Sequence, residues 1–559
     1  MSERLLKISG KRAETFLQQV VTSDISSLKS GESLSSLLFN RDGILLDAIT
    51  LKKREKGFLV LCSNAKKMRL VKSWLKELSN GYIIFDEDIL AKINGPVIIG
   101  GQTSTFDKLH PHLSPGDSLP LRGAGATNKE HRIARLPRCE AWPERIKERG
   151  KDIKTIYKEY PELFSLSKPY FVGQKRLKEV VSPHKNHKKR AFFYEEKEGK
   201  LKKTPLYPEH LRRGAKISPF AGWEMPIFYT SIIEEHQAVR RTAALFDIGH
   251  MGIIEIKGKG ATSFLDIVTT NYVWWLKDKE SFYSFVLNPD GDVLDDVMIY
   301  RKNGKNYLLV CNCINQEKIW NWLNVVNSKQ YLIDEDYPQK EIKEKVILRN
   351  LSKQSAGKEQ KTILALQGPN SLLVLKRIIA EGGLRRLEKL QKREFIETAI
   401  AGREVIIACA GYTGEKIGFE LFLSSADSGL IWNLLLKEGE GLGVIPAGLG
   451  ARDSTRTEAG FPLWGKELAG KFNISPIEAG AGFYVKFHKP WFVGREVLLR
   501  KKLRKRIISF EMTERAIPRE GYPVIFKNKR IGEVTSGTFS PFTEKYIGLA
   551  YLNIEYSDV

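Results

Sequence analysis

The chain contains its own partial copy. Residues 8–75 align without a gap to residues 256–323, with 22 identities in 68 positions. Gly10 meets Gly258, Phe16 meets Phe264, Asn40 meets Asn288, Asn64 meets Asn312 and Trp74 meets Trp322. A second match follows, "KPYFVGQ" at 168–174 against "KPWFVGR" at 489–495. Between the two matches the offset grows from 248 to 321, so the first copy lacks about 73 residues of its middle. A repeat of this size requires two related folding units in one chain, and each must build the same local structure.

That local structure is readable. "LLKISG" and "GIIEIKG" alternate as strands do, and "KRAETFLQQVV" and "GATSFLDIVTT" have helical spacing of apolar residues. Asp42-Gly43 and Asp290-Gly291 lie between apolar runs and predict hairpin turns. Strands of the "FLVLCSN" and "YLLVCN" type come next, then helices containing Trp74 and Trp322. Strands and helices are intermixed, which is an α+β pattern. The predicted domains are 1–182, a charged linker at 183–203, 204–502 and 503–559. The stretches 339–345 and 352–361 are polar and predict surface excursions within the second copy.

The copies differ where it matters chemically. "NRDGILLDA" at 40–48 ends in Ala48, whereas "NPDGDVLDD" at 288–296 ends in Asp296. In a strand, Asp296 shares a face with Leu294 and Met298, and Asp295 shares one with Val293 and Val297. Either way a carboxylate stands among apolar neighbours, so it must be paired, protonated or functional. The alternative is a hairpin cap or a lysine partner.

The bulk composition narrows the function classes. The chain has 559 residues and a net charge of +24, which favours anionic partners. Its basic residues are dispersed, with no RNA-binding aromatic motif, zinc finger or basic arm, so nucleic acid is not the expected partner. No run of 18 apolar residues predicts a membrane span. The first residues, "MSERLLKISGKR", lack a signal-peptide core, and five dispersed cysteines make neither a disulfide framework nor a metal knuckle. A cytoplasmic setting without metal is the expectation.

Five segments of the second copy, in order, carry a family resemblance. They are "TPLYPEHLRRGAKISPFAGWEMPIFY" (204–229), "ALFDIGHMG" (244–252), "ALQGP" (365–369), "GYTGEKIGFELFL" (411–423) and "GLGARDSTRTEAGFPLWGKEL" (448–468). Over about residues 203–555 the chain resembles the T-protein, or aminomethyltransferase, of the glycine cleavage system. The resemblance implies a cloverleaf of two α+β folate-binding subdomains and a C-terminal β-barrel-like domain, preceded here by a shortened copy. The implied reaction takes the aminomethyl group from the lipoyl arm of H-protein, releases ammonia and passes the one-carbon unit to tetrahydrofolate.

The same resemblance implies site residues. Asp296 falls at the catalytic aspartate. Glu420 falls at the pterin-binding glutamate, a carboxylate able to accept two adjacent N–H groups in a fork. Arg452 falls at the active-site arginine, with an ion pair to Asp453 or Glu458 as its structural alternative. Met251 and Asn312 match pocket-lining positions, with Tyr283 and Tyr412 as further candidates. His250 and Trp464 are expected in structural roles. Folate carrying a polyglutamate tail and an acidic H-protein are partners that would suit a basic surface.

Three departures stand out. "GYTGEKIGFEL" is one residue longer than the usual spacing, which makes Glu415 the alternative to Glu420. The chain stops at "YLNIEYSDV", where T-proteins continue by a strand, so an open or truncated C-terminal sheet is expected. Gly249 replaces the commoner serine. The first copy has Ala48 for Asp296, His131 for Arg452 and no counterpart of Glu420, so it is expected to lack this chemistry. Its "KPYFVGQ" also resembles the Lys-Gly-Cys-Tyr-x-Gly-Gln signature of folate-binding iron–sulfur maturation factors, with Tyr170 in place of the cysteine and Pro169 in place of the glycine. A non-catalytic folate-binding protein for cluster maturation or scaffolding is therefore the rival function. A demethylase module would require a flavin domain, and no dinucleotide fingerprint is present.

Overall fold

The structure, a computed structural model, describes residues 4–86, 88, 90–101, 151–181, 189–196 and 199–557. His131 and parts of the predicted linker lie outside them. The chain divides into two compact units. The first comprises Met1–His187, Glu335–Glu341 and Phe487–Trp491, and the second Lys188–Asp334, Ile342–Lys486 and Phe492–Val559.

The first unit is built on a five-stranded antiparallel sheet: β1 (Leu5–Ser9), β2 (Ser33–Phe39), β3 (Leu45–Arg54), β4 (Gly57–Leu61) and β5 (Ile98–Gly101), in the order β2-β3-β4-β1-β5. The Asp42-Gly43 turn forms as predicted. Gly43 takes φ 77°, which suits glycine, and its N–H reaches the Asn40 carbonyl at 3.1 Å. The helix Ala65–Asn80 starts on Asn64, whose side chain accepts the Lys67 N–H, and ends at the left-handed Gly81. It buries Val71, Trp74, Leu75 and Leu78, the one-sided stripe that 3.6 residues per turn produces. The stretch 339–345, expected at the surface, buries Lys340, whose ammonium lies 4.3 Å from the Trp491 ring centre and 4.7 Å from that of Tyr337. A lysine can be buried this way because its stem is apolar and its charge finds aromatic faces.

The second unit opens with a three-stranded ribbon, β6 (Lys202–Lys203), β7 (Lys216–Phe220) and β8 (Trp223–Phe228). Two large sheets follow. One holds β10 (Gly252–Lys257), β11 (Ser281–Leu287), β12 (Val293–Asn303), β13 (Asn306–Cys311) and β14 (Ile347–Asn350), in the order β11-β12-β13-β10-β14. This is the strand order of the first unit's sheet, with a register shift at Val286/Leu287 matching that at Leu38/Phe39. The other holds β9 (Ala243–Asp247), β15 (Lys361–Gln367), β16 (Phe395–Ile400), β17 (Arg403–Ala408), β18 (Gly418–Ser424) and β19 (Val444–Ala447), in the order β16-β17-β18-β15-β9-β19. Only the β9–β19 pair in it is parallel. Tyr300, Leu308 and Val310 of the first sheet pack with Phe246, Ala365, Ala408 and Phe422 of the second in one core. The opposite face of the six-stranded sheet packs Leu364, Leu421 and Leu423 against Val374, Leu375, Trp432 and Leu435 of two helices. Last comes an open antiparallel sheet, β20 (Lys505–Glu511), β21 (Pro523–Phe526), β22 (Lys529–Ser540) and β23 (Lys545–Asn553), in the order β20-β23-β22-β21.

The gapless alignment of the two copies is also corrected. Val60 pairs with Leu6 on β1, and Leu309 pairs with Ile254 on β10, so β4 and β13 correspond at an offset of 249, not 248. The β12–β13 connection is one residue longer than its counterpart. Ser63, not Asn64, therefore stands where Asn312 stands in the second unit.

Candidate active site

The β11–β12 hairpin sets the position of the two aspartates. Gly291 adopts φ 79°, its N–H reaches the Asn288 carbonyl at 3.0 Å, and the Asp292 N–H reaches Asn288 Oδ1 at 2.8 Å. From this turn β12 alternates its side chains. Asp296, Met298 and Tyr300 share one face, and the buried Asp295 shares the other with Val293 and Val297. Asp296 accepts the Tyr283 hydroxyl at 3.0 Å and Asn312 Nδ2 at 2.8 Å. Burial raises the Asp296 carboxyl to about 6, against the opposing pull of those two hydrogen bonds.

Across the core, Glu420 on β18 points the same way as Phe422, into the space between the sheets. Its Oε2 accepts the Tyr300 hydroxyl at 2.9 Å, and Oε1 has no hydrogen bond among the described residues. Burial raises this carboxyl, and the nearby Arg452 partly offsets the effect. Arg452 comes from the helix Leu449–Glu458. The ion pairs offered as its alternative do not form: Asp453 binds Arg456, and Glu458 binds Arg240 and His236. Arg452 Nη1 is buried with no partner among the described residues, and the guanidinium lies 5.0 Å from the Tyr412 ring centre. Tyr412 is within electrostatic reach of both Asp296 and Arg452, and its hydroxyl donates to the Pro462 carbonyl. Glu415, the alternative to Glu420, is engaged by Arg240 at 3.4 Å.

The structure thus gathers Asp296, Glu420, Arg452, Asn312, Tyr283 and Tyr412 into one electrostatically connected group. Met251 and Met298 both pack, partly buried, against the core that includes Tyr300 and Phe422. The Tyr283 ring is 4.8 Å from that of Tyr484, a neighbour the sequence reading did not name. His250 is buried 6.0 Å from the Phe220 ring, and burial holds its imidazole down at about 4, so it is neutral at pH 7. Trp464 carries Lys318 over its ring at 4.2 Å. Tyr300 was missed, although it lies four residues beyond Asp296 in a strand and therefore on the same face. Among the described residues no cluster of His, Cys, Asp or Glu is arranged to hold a metal ion, and no helix is long and apolar enough to cross a membrane.

Comparison with known proteins decides the family. The GCVT N-terminal domain matches residues 206–489, and the glycine cleavage T-protein C-terminal barrel domain matches residues 505–559. The chain belongs to the aminomethyltransferase family of glycine cleavage T-proteins. The aminomethyltransferase of Caldanaerobacter subterraneus subsp. tengcongensis is 41% identical over 362 residues, which is 64% of this chain and 90% of that protein. That of Symbiobacterium thermophilum is 39% identical over 363 residues, 64% of this chain and 91% of the relative. The crystal structure of glycine cleavage system aminomethyltransferase T from Bartonella henselae superposes with a TM-score of 0.55 at 30% identity, covering 64% of this chain and 91% of that one.

Proposed function

We propose that this aminomethyltransferase of the glycine cleavage system holds tetrahydrofolate between Asp296, Glu420 and Arg452 of the second unit. The observation that carries this is a complementary pair of unmet groups. Among the described residues Glu420 Oε1 has no hydrogen bond and Arg452 Nη1 is buried without a partner, and the two side chains lie within electrostatic reach of each other beside an apolar core. A buried donor without an acceptor is costly, and a pterin, with adjacent N–H donors and a ring carbonyl, would satisfy both groups. When bound, tetrahydrofolate supplies the nitrogen that accepts the one-carbon unit from the aminomethyl-lipoyl arm of H-protein. Asp296, in its ionised form, stabilises positive charge at the one-carbon centre and takes up a proton on Oδ1 or Oδ2. Tyr283 and Asn312 hold that carboxylate in place. Met251, Tyr283 and Tyr412 line the pocket and exclude water.

The test is methylene-tetrahydrofolate formation from aminomethyl-loaded H-protein. Wild type should be active. Asp296→Ala should lose turnover with folate affinity retained, and Glu420→Ala should lose affinity. An active Asp296→Ala variant would reject this assignment. An inactive wild type that still binds folate would turn the reading toward the non-catalytic folate-binding protein.

For the first unit we propose a shortened, degenerate copy with a structural or docking role in a cytoplasmic protein, with boundaries at 1–182, 183–203, 204–502 and 503–559. Its support is chemical: Ala48 removes the carboxylate, and Tyr170, at the position of a maturation-factor cysteine, is buried with its hydroxyl on Asp86 at 3.0 Å.

A further inference from the structure

Asp295 is fully buried next to Asp296, and the mechanism above makes no use of it. Its oxygens accept three N–H groups: the Asn312 backbone at 2.9 Å, Asn312 Nδ2 at 2.8 Å and Asn315 Nδ2 at 2.6 Å. The same Asn312 Nδ2 donates to Asp296 Oδ1 at 2.8 Å. One amide group therefore bridges two carboxylates on opposite faces of one strand.

The first unit provides an internal comparison. Asp47 occupies the place of Asp295 and is also buried. It accepts the Ser63 backbone N–H at 3.1 Å and the Ser63 hydroxyl at 2.6 Å. Ser63 stands where Asn312 stands, and Ala48 replaces Asp296. The anchoring aspartate is thus present in both units, whereas the longer side chain that reaches the second carboxylate accompanies that carboxylate. Anchoring the strand end needs only a serine, so the extra reach of Asn312 serves Asp296.

We infer that Asp295 is a positioning residue which, by fixing Asn312, sets the orientation and the ionic form of Asp296. This rests on the proposed role of Asp296. The pair shares a cramped site, and two adjacent buried carboxylates resist ionising together. Burial and the adjacent Asp296 push the Asp295 carboxyl well above the usual carboxylate range, yet its oxygens are ringed by N–H donors alone, whereas Tyr283 beside Asp296 is a hydroxyl that can turn to accept, so the hydrogen-bond geometry favours a shared proton on Asp296. The other groups facing the pair are Tyr412, Cys311, Cys313 and Lys318, none of which donates a hydrogen bond to either carboxylate.

The experiment uses the full chain and follows the pH dependence of methylene-tetrahydrofolate formation in Asn312→Ser, Asp295→Asn and Asp296→Ala. Asn312→Ser copies the Asp47–Ser63 arrangement, so it should fold while losing the bridge. It should lower kcat on the order of 10²-fold and move the acid limb to higher pH, because Asp296 loses a donor that favours its ionised form. Asp295→Asn keeps an acceptor for Asn312 but removes the neighbouring charge, so its acid limb should move to lower pH. Opposite shifts support the bridge, since loosened packing alone would not produce them. Two unshifted profiles beside an inactive Asp296→Ala would overturn the bridge alone. An active Asp296→Ala would overturn both the bridge and the reading it rests on. Should Asp295→Asn fail to fold, the Asn312→Ser limb decides, and an unshifted one overturns the bridge.

Discussion

At Asp296 two demands oppose each other. Burial lifts the carboxyl from 3.8 to about 6, and the proposed chemistry needs it ionised. Between those values the folded chain holds a proton that the unfolded chain releases, so stability falls as pH rises through that window. Above it the ionised group stays a net cost. Asp296→Asn removes the charge and lets the new amide face the Tyr283 hydroxyl. It should raise the unfolding free energy at pH 7 by up to about 3 kcal/mol, while abolishing transfer. Thermal unfolding at pH 4 and pH 7 checks this, because the gain should vanish at the lower pH. The wild-type rate should decline below about pH 6 as the same carboxyl gains its proton. The sequence exposed this residue because its copy has Ala48, a difference visible without any structure. It placed Asp295 among apolar neighbours but hid its role, and it hid Tyr300 altogether, because both roles depend on what lies beside them and across the core.

At the level of elements, the site depends on how the helix Leu449–Glu458 is held. Arg456 on that helix is fully buried and donates to Asp453 at 2.7 Å, Glu467 at 2.8 Å and Ser536 of β22 at 2.9 Å. It ties the element carrying Arg452 to the last sheet. Arg456→Ala would leave the buried Glu467 without its counter-charge, a loss of about 3–5 kcal/mol. Adding Glu467→Gln should recover part of that, because the stranded charge disappears. Urea unfolding of the single and double variants measures the difference, and tetrahydrofolate affinity should fall in the single variant as Arg452 loses its support. Hairpins and amphipathic helices were legible because Asp-Gly turns and apolar spacing act locally. The register of β13 was not: one extra residue in the hairpin is compensated before the Trp322 helix, so a gapless alignment matched Asn64 with Asn312. The Arg456–Glu467 pair was equally invisible, since surface and buried ion pairs look alike in sequence.

For the whole molecule, the unresolved consequence of the +24 charge is where it acts. The first unit has a cleft of about 570 Å³ lined by Lys7, Lys11, Lys53, Arg54 and Lys56, with Glu14 and Glu55. Lys53 pairs with Glu14 at 2.9 Å, whereas Lys7, Lys11, Arg54 and Lys56 form no ion pair among the described residues. At the place of Lys7 the second unit has Glu255, which binds Lys257 at 2.8 Å and Arg349 at 3.6 Å. At this position the second unit therefore carries a paired carboxylate where the first carries a lysine, a difference that suits the proposed docking role. An acidic protein partner would meet an excess of positive charge there, four cations against Glu55. Their attraction extends about 8 Å at physiological salt and less above it. The kcat/KM for loaded H-protein should therefore fall as salt rises, with kcat unchanged, because steering acts on encounter and not on chemistry. Replacing Lys7, Lys11, Arg54 and Lys56 by glutamine should flatten that salt dependence while leaving kcat and tetrahydrofolate affinity as in wild type. A salt slope that survives the fourfold replacement would place the docking charge elsewhere and leave the first unit a structural role alone.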